Sequence, residues 1–147
     1  MIRRALTYGL LGAAGVAAWT MLEYALGWHE SRADVGRYTA WLALLAPVIA
    51  IVLGVRAARR QRAEGLSFGA GMAEGTAITL VFSVAVTIFY YLYFSIINPG
   101  YNDAGATVDP VRTAKAALGT SIATGILITI ICAAILRTRA ARASVAS

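Results

Sequence analysis

The chain has 147 residues, of which 59% are hydrophobic and 14% are charged. An ordinary soluble domain is roughly 45–50% apolar and about 25% charged, so this composition excludes a typical water-soluble protein. The formal net charge of +6 would suggest a nucleic-acid partner in a soluble chain. The positions of the basic residues indicate a membrane topology instead, and no nucleic acid is expected as a partner.

Four blocks of the sequence are apolar, and each is close to the ~20 residues that a helix needs to cross about 30 Å of hydrocarbon. They are Ala5 to Leu26, Tyr38 to Val55, Ala77 to Ile97 and Ala116 to Leu136. The sequence therefore predicts an all-α integral membrane protein, a four-helix bundle of two antiparallel helix hairpins in a single transmembrane domain, residues 1–147. The predicted helices cover approximately residues 5–27, 38–64, 68–97 and 114–137.

Most basic residues flank the predicted helices on one side of the bundle. That side holds Arg3, Arg4, Arg56, Arg59, Arg60, Arg62, Arg137, Arg139 and Arg142. The other side holds Arg32, Arg37, Arg112 and Lys115. An excess of basic residues in short flanks marks the cytoplasmic side. We therefore predict a plasma-membrane protein with both termini cytoplasmic, and a bacterial source because arginine greatly outnumbers lysine.

The basic segment that leaves the second block is also expected to contact lipid. Arg59, Arg60 and Arg62 lie where anionic headgroups attract a basic residue by about 1 kcal/mol each. Strong helix formers predict that helix two continues through Glu64, with Gly65 as a left-handed cap and Ser67 as the N-cap of helix three.

Pro47 predicts a kink near the middle of helix two, because its ring clashes with the carbonyl of Ala43 and removes one hydrogen bond.

Small residues at a spacing of four predict close helix packing, since lipid gives apolar helices no hydrophobic reason to associate. Candidate packing residues are Gly9, Ala13, Gly71, Gly75, Gly119 and Ala123. In an antiparallel hairpin, Gly71 and Gly75 would lie opposite the basic segment of helix two. We expect these residues to pack within the bundle, the alternative being contact with a separate membrane protein or a second copy.

Glu23 and Glu74 are the carboxylates inside the apolar blocks, and an acid in a membrane is a functional candidate by default. Each has a predicted basic partner across its own hairpin, Arg37 for Glu23 and Arg56 or Arg60 for Glu74. We expect structural ion pairs, with a proton or ion relay as the alternative.

Aromatic residues load the predicted outer interface, where amphipathic rings favour headgroup depth. An ordinary interfacial belt is expected, and a site for a pigment, quinone or sugar is the alternative. His29 is the sole histidine and is expected to be a solvated loop residue, since a metal role would need Glu30 or Asp34 as further ligands. We predict neither metal nor cofactor.

Enzyme motifs are absent from the sequence: it contains no GxSxG, HExxH, CxxC or phosphate loop. The sequence therefore favours a protein that is not an enzyme. We predict an accessory or interaction subunit of a membrane assembly. The alternative is a small oligomeric transporter or channel for an ion or small solute, for which Pro47, Glu23 and Glu74 are the motivation.

A set of short motifs resembles a known family. These are Gly54-Val-Arg56 before the basic run, Gly65-Leu-Ser-Phe68-Gly69, Gly75, a tyrosine-rich end to helix three, and Pro99. They resemble domain-of-unknown-function family 4199, a bacterial family of small four-helix membrane proteins, over most of the chain from Tyr38 onward. The resemblance implies the fold and a membrane location, and it implies no activity.

Overall fold

The computed structural model describes residues 1–29, 35, 38–62, 65–103 and 106–137. Within these residues the protein is built from four long helices, as predicted. They are α1 (Ile2–Ala25), α2 (Leu45–Arg60), α3 (Phe68–Leu92) and α4 (Pro110–Leu136). A 3₁₀ segment, Ala40–Leu44, leads into α2, and α3 continues as a π-helical segment, Tyr93–Ile97. Two antiparallel strands of two residues each, β1 (Asn102–Asp103) and β2 (Ala106–Thr107), lie between α3 and α4.

Each of the four helices is long and apolar enough to cross a membrane when α2 is counted from Trp41 in the 3₁₀ segment and α3 is counted to Ile97. Mean hydropathy lies between 1.4 for the first span and 2.2 for the last. Large apolar side chains cover their outer faces; Leu10, Leu53 and Leu127, for example, are each about half exposed. Such exposure would be costly in water and is favourable in hydrocarbon. The chain is therefore a multi-pass membrane protein.

The two middle helices, α2 and α3, contact each other, and both contact α1 and α4. The N-terminus of α1, the C-terminus of α2, the N-terminus of α3 and the C-terminus of α4 share one end of the bundle, here called the Glu74 end; the opposite end is called the Glu23 end. Two apolar cores follow one another along the bundle. Ile51, Val55 and Ile78 lie in the core near the Glu74 end, and Val16 and Phe82 lie in the core nearer the Glu23 end.

Small residues allow close contact between helices, but several contacts differ from the predicted ones. Gly9 and Ala13 are buried, and a Cβ atom on Gly9 would lie 2.7 Å from the Val81 side chain of α3. Gly71 and Gly75 do not lie against the basic segment of α2. They pack on α4, where added Cβ atoms would lie 3.1 Å from Ala133 Cβ and 2.5 Å from Thr129 Cγ2.

The prediction that Gly119 and Ala123 pack within the bundle is wrong. Both are exposed, and a Cβ atom on Gly119 would have no neighbour within 4 Å. The buried glycine of α4 is Gly125, where an added Cβ atom would lie 2.3 Å from Thr79 Cγ2 of α3. Spacing alone cannot separate the two sites, because both glycines belong to small-residue steps and only the rotation of α4 decides which one faces α3.

The connection between α2 and α3 begins earlier than expected, since α2 ends at Arg60 and not at Glu64. The predicted caps are confirmed in part. The Ser67 hydroxyl accepts a hydrogen bond from Ala70 N at 3.2 Å and so caps α3, as predicted. Gly65 has a left-handed φ of 83°, which glycine adopts without steric cost, but it does not cap α2, whose C-cap is Gln61. The Ser67 cap fixes where α3 begins, and with it the depth of Glu74.

Pro47 lies in the first turn of α2 and not near the middle of that helix, as the kink prediction required. The irregularity precedes the proline, where the 3₁₀ segment gives way to the α-helix at Leu45. Proline is tolerated in the first turn of an α-helix, where its fixed φ matches the helical backbone. In place of the predicted kink near the middle, the helix changes from 3₁₀ to α geometry just before Pro47.

Candidate functional site

A buried carboxylate at the Glu74 end joins two transmembrane helices. Arg4 of α1 donates to Glu74 of α3 through Nε at 2.8 Å and through Nη2 at 3.0 Å. Glu74 is 1% exposed, so the guanidinium supplies both a counter-charge and two parallel hydrogen bonds in a region without water. The remaining Arg4 nitrogen, Nη1, donates to Gln61 just beyond α2, and one arginine thereby connects three helices.

This partner differs from the prediction, which assigned Arg56 or Arg60 to Glu74. Both of those arginines are exposed, as is Arg59, whereas Arg4 is half-buried. The prediction was wrong because it considered pairing only across the α2–α3 hairpin. The N-terminus of α1 lies at the same end of the bundle and directs Arg4 inward.

A second buried carboxylate, Glu23, lies near the other end of α1 and is 4% exposed. Thr39 Oγ1 donates to Glu23 Oε1 at 2.7 Å, and His29 Nε2 lies 3.5 Å from Glu23 Oε2. The predicted partner, Arg37, lies outside the described residues. Glu23 is thus held by a hydroxyl and an imidazole from the connection between α1 and α2.

His29 is not a solvated loop residue, as predicted, but lies between Glu23 and α3. Its Nδ1 atom is 2.5 Å from the hydroxyl of Tyr93, a fully buried residue, and Asn98 Nδ2 donates to the same hydroxyl at 3.5 Å. A chain of polar contacts therefore runs from Glu23 through His29 to Tyr93, with a hydrogen bond at the Tyr93 step and a 3.5 Å approach at the Glu23 step. Rings of Tyr24, Phe94 and Tyr101 surround this chain.

The turn after α1 explains why His29 returns to the bundle. Gly27 has a φ of 71°, its amide donates to Tyr24 O at 2.9 Å, and the Trp28 amide donates to Glu23 O at 3.0 Å. These are the two hydrogen bonds of a Schellman cap, which reverses the chain over the last turn of the helix. Gly27 at the end of the first apolar block was the signal that could have placed His29 beside Glu23.

A cavity of about 160 Å³ lies between α2 and α4, on the Glu23 side of the bundle centre. Buried side chains of Val16, Phe82 and Val86 form its floor. The exposed residues Leu44 and Thr120 stand on opposite sides of its mouth. The cavity therefore opens sideways, toward the lipid-facing surface. Sequence reasoning missed it, because no pattern in one helix reports a gap between two.

The described residues contain no group of three or more His, Cys, Asp or Glu side chains close enough to hold a metal ion. The single cysteine, Cys132, is buried in the core near the Glu74 end. Arg59, Arg60 and Arg62 are exposed at that end.

Comparison with known proteins identifies the family and no activity. The family model described as Protein of unknown function (DUF4199) matches residues 7–107, more than half of the chain. The match reaches into α1, further than the resemblance from Tyr38 onward, and ends before α4. No curated protein and no solved structure matches. The chain therefore belongs to the family described as Protein of unknown function (DUF4199).

Proposed function

We propose that this protein is a non-catalytic accessory subunit that binds a transmembrane helix of another membrane protein through α4. The observation that carries the proposal is the open space at Gly119. Gly75 and Gly125 are each closed by a threonine of a facing helix, whereas a Cβ atom on Gly119 would have no neighbour within 4 Å. An exposed glycine in a helix interior costs up to about 1 kcal/mol relative to alanine, and a partner helix in close contact would offset that cost.

Gly119 belongs to a continuous exposed face of α4, here called the Gly119 face, which consists of Arg112, Ala116, Gly119 and Ala123. Spacings of three and four place these residues on one side of the helix. Three of the four are small, so a second helix can approach the backbone of α4 closely and gain van der Waals contact. The face therefore suits a helix with small residues at the same depth.

The charge on the Gly119 face favours a different protein over a second copy. Two copies inserted in the same orientation and related by a twofold axis along the membrane normal bring identical residues together. Arg112 would then face Arg112 at one depth, and exposed Lys115 lies beside it. Like charges disfavour that dimer. A partner helix with an acidic residue near its end would compensate Arg112.

We also propose a location and an orientation for the protein. We infer that the membrane is the plasma membrane of a bacterium, with both termini cytoplasmic. The exposed arginines at the Glu74 end, Arg56, Arg59, Arg60 and Arg62, support this orientation through the positive-inside rule. They also support contact with anionic headgroups.

A cysteine introduced at Arg59 tests the orientation. It should resist a membrane-impermeant maleimide in intact cells and react after permeabilisation. Labelling in intact cells would show that the orientation is the opposite one.

The alternative function, a small oligomeric transporter, has one observation in its favour. The chain of polar contacts from Glu23 through His29 to Tyr93 joins groups that exchange protons. Proton flux into proteoliposomes that is lost in Glu23→Gln would support transport over the accessory role. Flux equal to that of empty liposomes would remove this alternative.

The Gly119 face is tested by two matched variants in the full-length protein. Gly119→Leu places a large side chain on the face, and Gly69→Leu makes the same change at a second exposed glycine with open space around it. In native membranes extracted with a mild detergent, the wild type and Gly69→Leu should run as a complex larger than the monomer. Gly119→Leu should run as the monomer.

Two results would contradict the proposal. The first is a monomer for the wild type. The second is mutual capture of two differently tagged copies of this chain through the Gly119 face, which would make the partner a second copy.

A further inference from the structure

The cavity between α2 and α4 is a space that the accessory role does not use. Its wall on α4 includes Ala117, Ser121 and Gly125, with Thr120 and Thr124 beside them, and the Gly119 face lies on a different side of that helix. We propose that the cavity binds one oxygen-bearing six-membered ring of a lipid-soluble molecule, a phenol or quinone whose apolar tail extends into the bilayer.

Both walls of the cavity follow from the local sequence. On α2, the change from 3₁₀ to α-helix just before Pro47 sets the positions of Ala43 and Leu44, which line the space together with the proline. On α4, three small residues at a spacing of four form the opposite wall, and none has a side chain long enough to fill it. The space is therefore built into the fold.

The size of the cavity limits the bound group to one six-membered ring. A cavity of ~150 Å³ with an apolar lining stays dry and binds benzene, so the ≈ 160 Å³ found here is sufficient for a six-membered ring. Drug-sized ligands need roughly 300–1,000 Å³, so the rest of a larger molecule must remain outside. The lateral mouth between Leu44 and Thr120 gives a tail access to hydrocarbon.

Hydroxyl groups on the cavity wall favour a ring that carries an oxygen atom. Among the described residues, the hydroxyls of Thr120 and Thr124 have no hydrogen-bond partner, whereas the third hydroxyl of this wall, that of Ser121, donates to Leu118 O at 3.1 Å within its own helix. An unpaired hydroxyl in an apolar environment is unfavourable, and a phenol or quinone oxygen would satisfy it. Tyr90 adds a ring face to the lining, and its hydroxyl pairs with Thr20.

The test uses the purified full-length protein in nanodiscs of a neutral phospholipid. The probe is a long-chain alkylphenol with a photoreactive diazirine on the tail next to the ring, and the labelled residues are mapped by mass spectrometry. Label should concentrate at the mouth of the cavity, on Leu44 and Thr120. Unlabelled alkylphenol should compete about tenfold better than an alkylbenzene of the same length, because the alkylbenzene leaves the hydroxyls unpaired.

Matched variants show whether the label depends on the cavity. Ala117→Phe fills the space from α4 and should reduce labelling about tenfold, whereas Ala134→Phe adds the same side chain at an exposed position of α4, outside both the cavity and the Gly119 face, and should leave it unchanged. If Ala117→Phe does not fold, Ala43→Leu fills the space from the opposite wall. Label that persists in a folded cavity-filling variant would overturn the proposal, as would equal competition by the alkylbenzene. Neither result depends on the accessory role, because no partner protein is present.

Discussion

The two ends of the bundle each bury one carboxylate, and they hold it by different chemistry. At the Glu74 end the carboxylate receives two hydrogen bonds from one guanidinium, at 2.8 and 3.0 Å, which also connects to Gln61. At the Glu23 end the carboxylate receives a hydroxyl hydrogen bond at 2.7 Å and lies 3.5 Å from an imidazole. Arginine keeps its charge at any physiological pH, so Arg4 always supplies a counter-charge to Glu74.

The Glu74 end stabilises the bundle, whereas the Glu23 end has surfaces that a ligand or partner can reach. The Glu74 end joins three helices through Arg4 and is reinforced by the close contacts of Gly71 and Gly75 with α4. The cavity and the Gly119 face both lie toward the Glu23 end. We therefore expect substitutions at the Glu74 end to affect stability most, and substitutions of cavity or face residues to affect binding with little effect on stability.

The largest effect is expected from Arg4→Met, which leaves Glu74 buried without a counter-charge. Removing one partner of a buried ion pair costs about 3–5 kcal/mol. The measurement is the free energy of unfolding in mixed micelles, with exposed Arg3→Met as the control that should change it little. In the double variant Arg4→Met/Glu74→Met no charge remains buried at this site, so most of the loss should be recovered. A double variant as unstable as Arg4→Met would show that the pair itself is not the cause.

A smaller effect is expected at the Glu23 end from Thr39→Val, which removes the hydroxyl that donates to Glu23. A hydrogen bond to a charged group contributes about 1.5–3 kcal/mol. Thr7→Val is the matched control, because the Thr7 hydroxyl donates to Arg3 O on the exposed side of α1. A loss for Thr39→Val as large as that for Arg4→Met, in the same unfolding assay, would contradict the difference between the two ends.

The smallest effect is expected from Gly75→Ala, which tests the packing beside Glu74. The new Cβ atom would lie 2.5 Å from Thr129 Cγ2 of α4, and overpacking of this kind costs about 1–3 kcal/mol. Gly119→Ala is the control, since its Cβ atom enters open space and alanine favours the helix. Its free energy of unfolding should rise slightly or stay the same. Equal destabilisation by both variants would show that the contact of Gly75 with α4 is not the cause, because Gly119 makes no such contact.

Local chemistry allowed several features to be predicted from the sequence. The N-cap at Ser67 and the left-handed turn at Gly65 follow from backbone rules that act over a few residues. The identity of the Glu74 partner could not be predicted in this way. It depends on which of several nearby arginines is directed inward, and only the packing of α1 against α3 decides that.

The sequence by itself determined that the chain crosses a membrane with four helices, because the length and apolarity of each block satisfy the bilayer independently of the others. It also determined which residues are small enough for close helix contact. The tertiary structure alone decided that Gly125 and not Gly119 faces α3, that His29 returns to Glu23, and that a cavity remains between α2 and α4. Each of these depends on how a helix is rotated or where a turn directs the chain, and in lipid those choices follow from side-chain packing between helices, which a pattern within one helix does not contain.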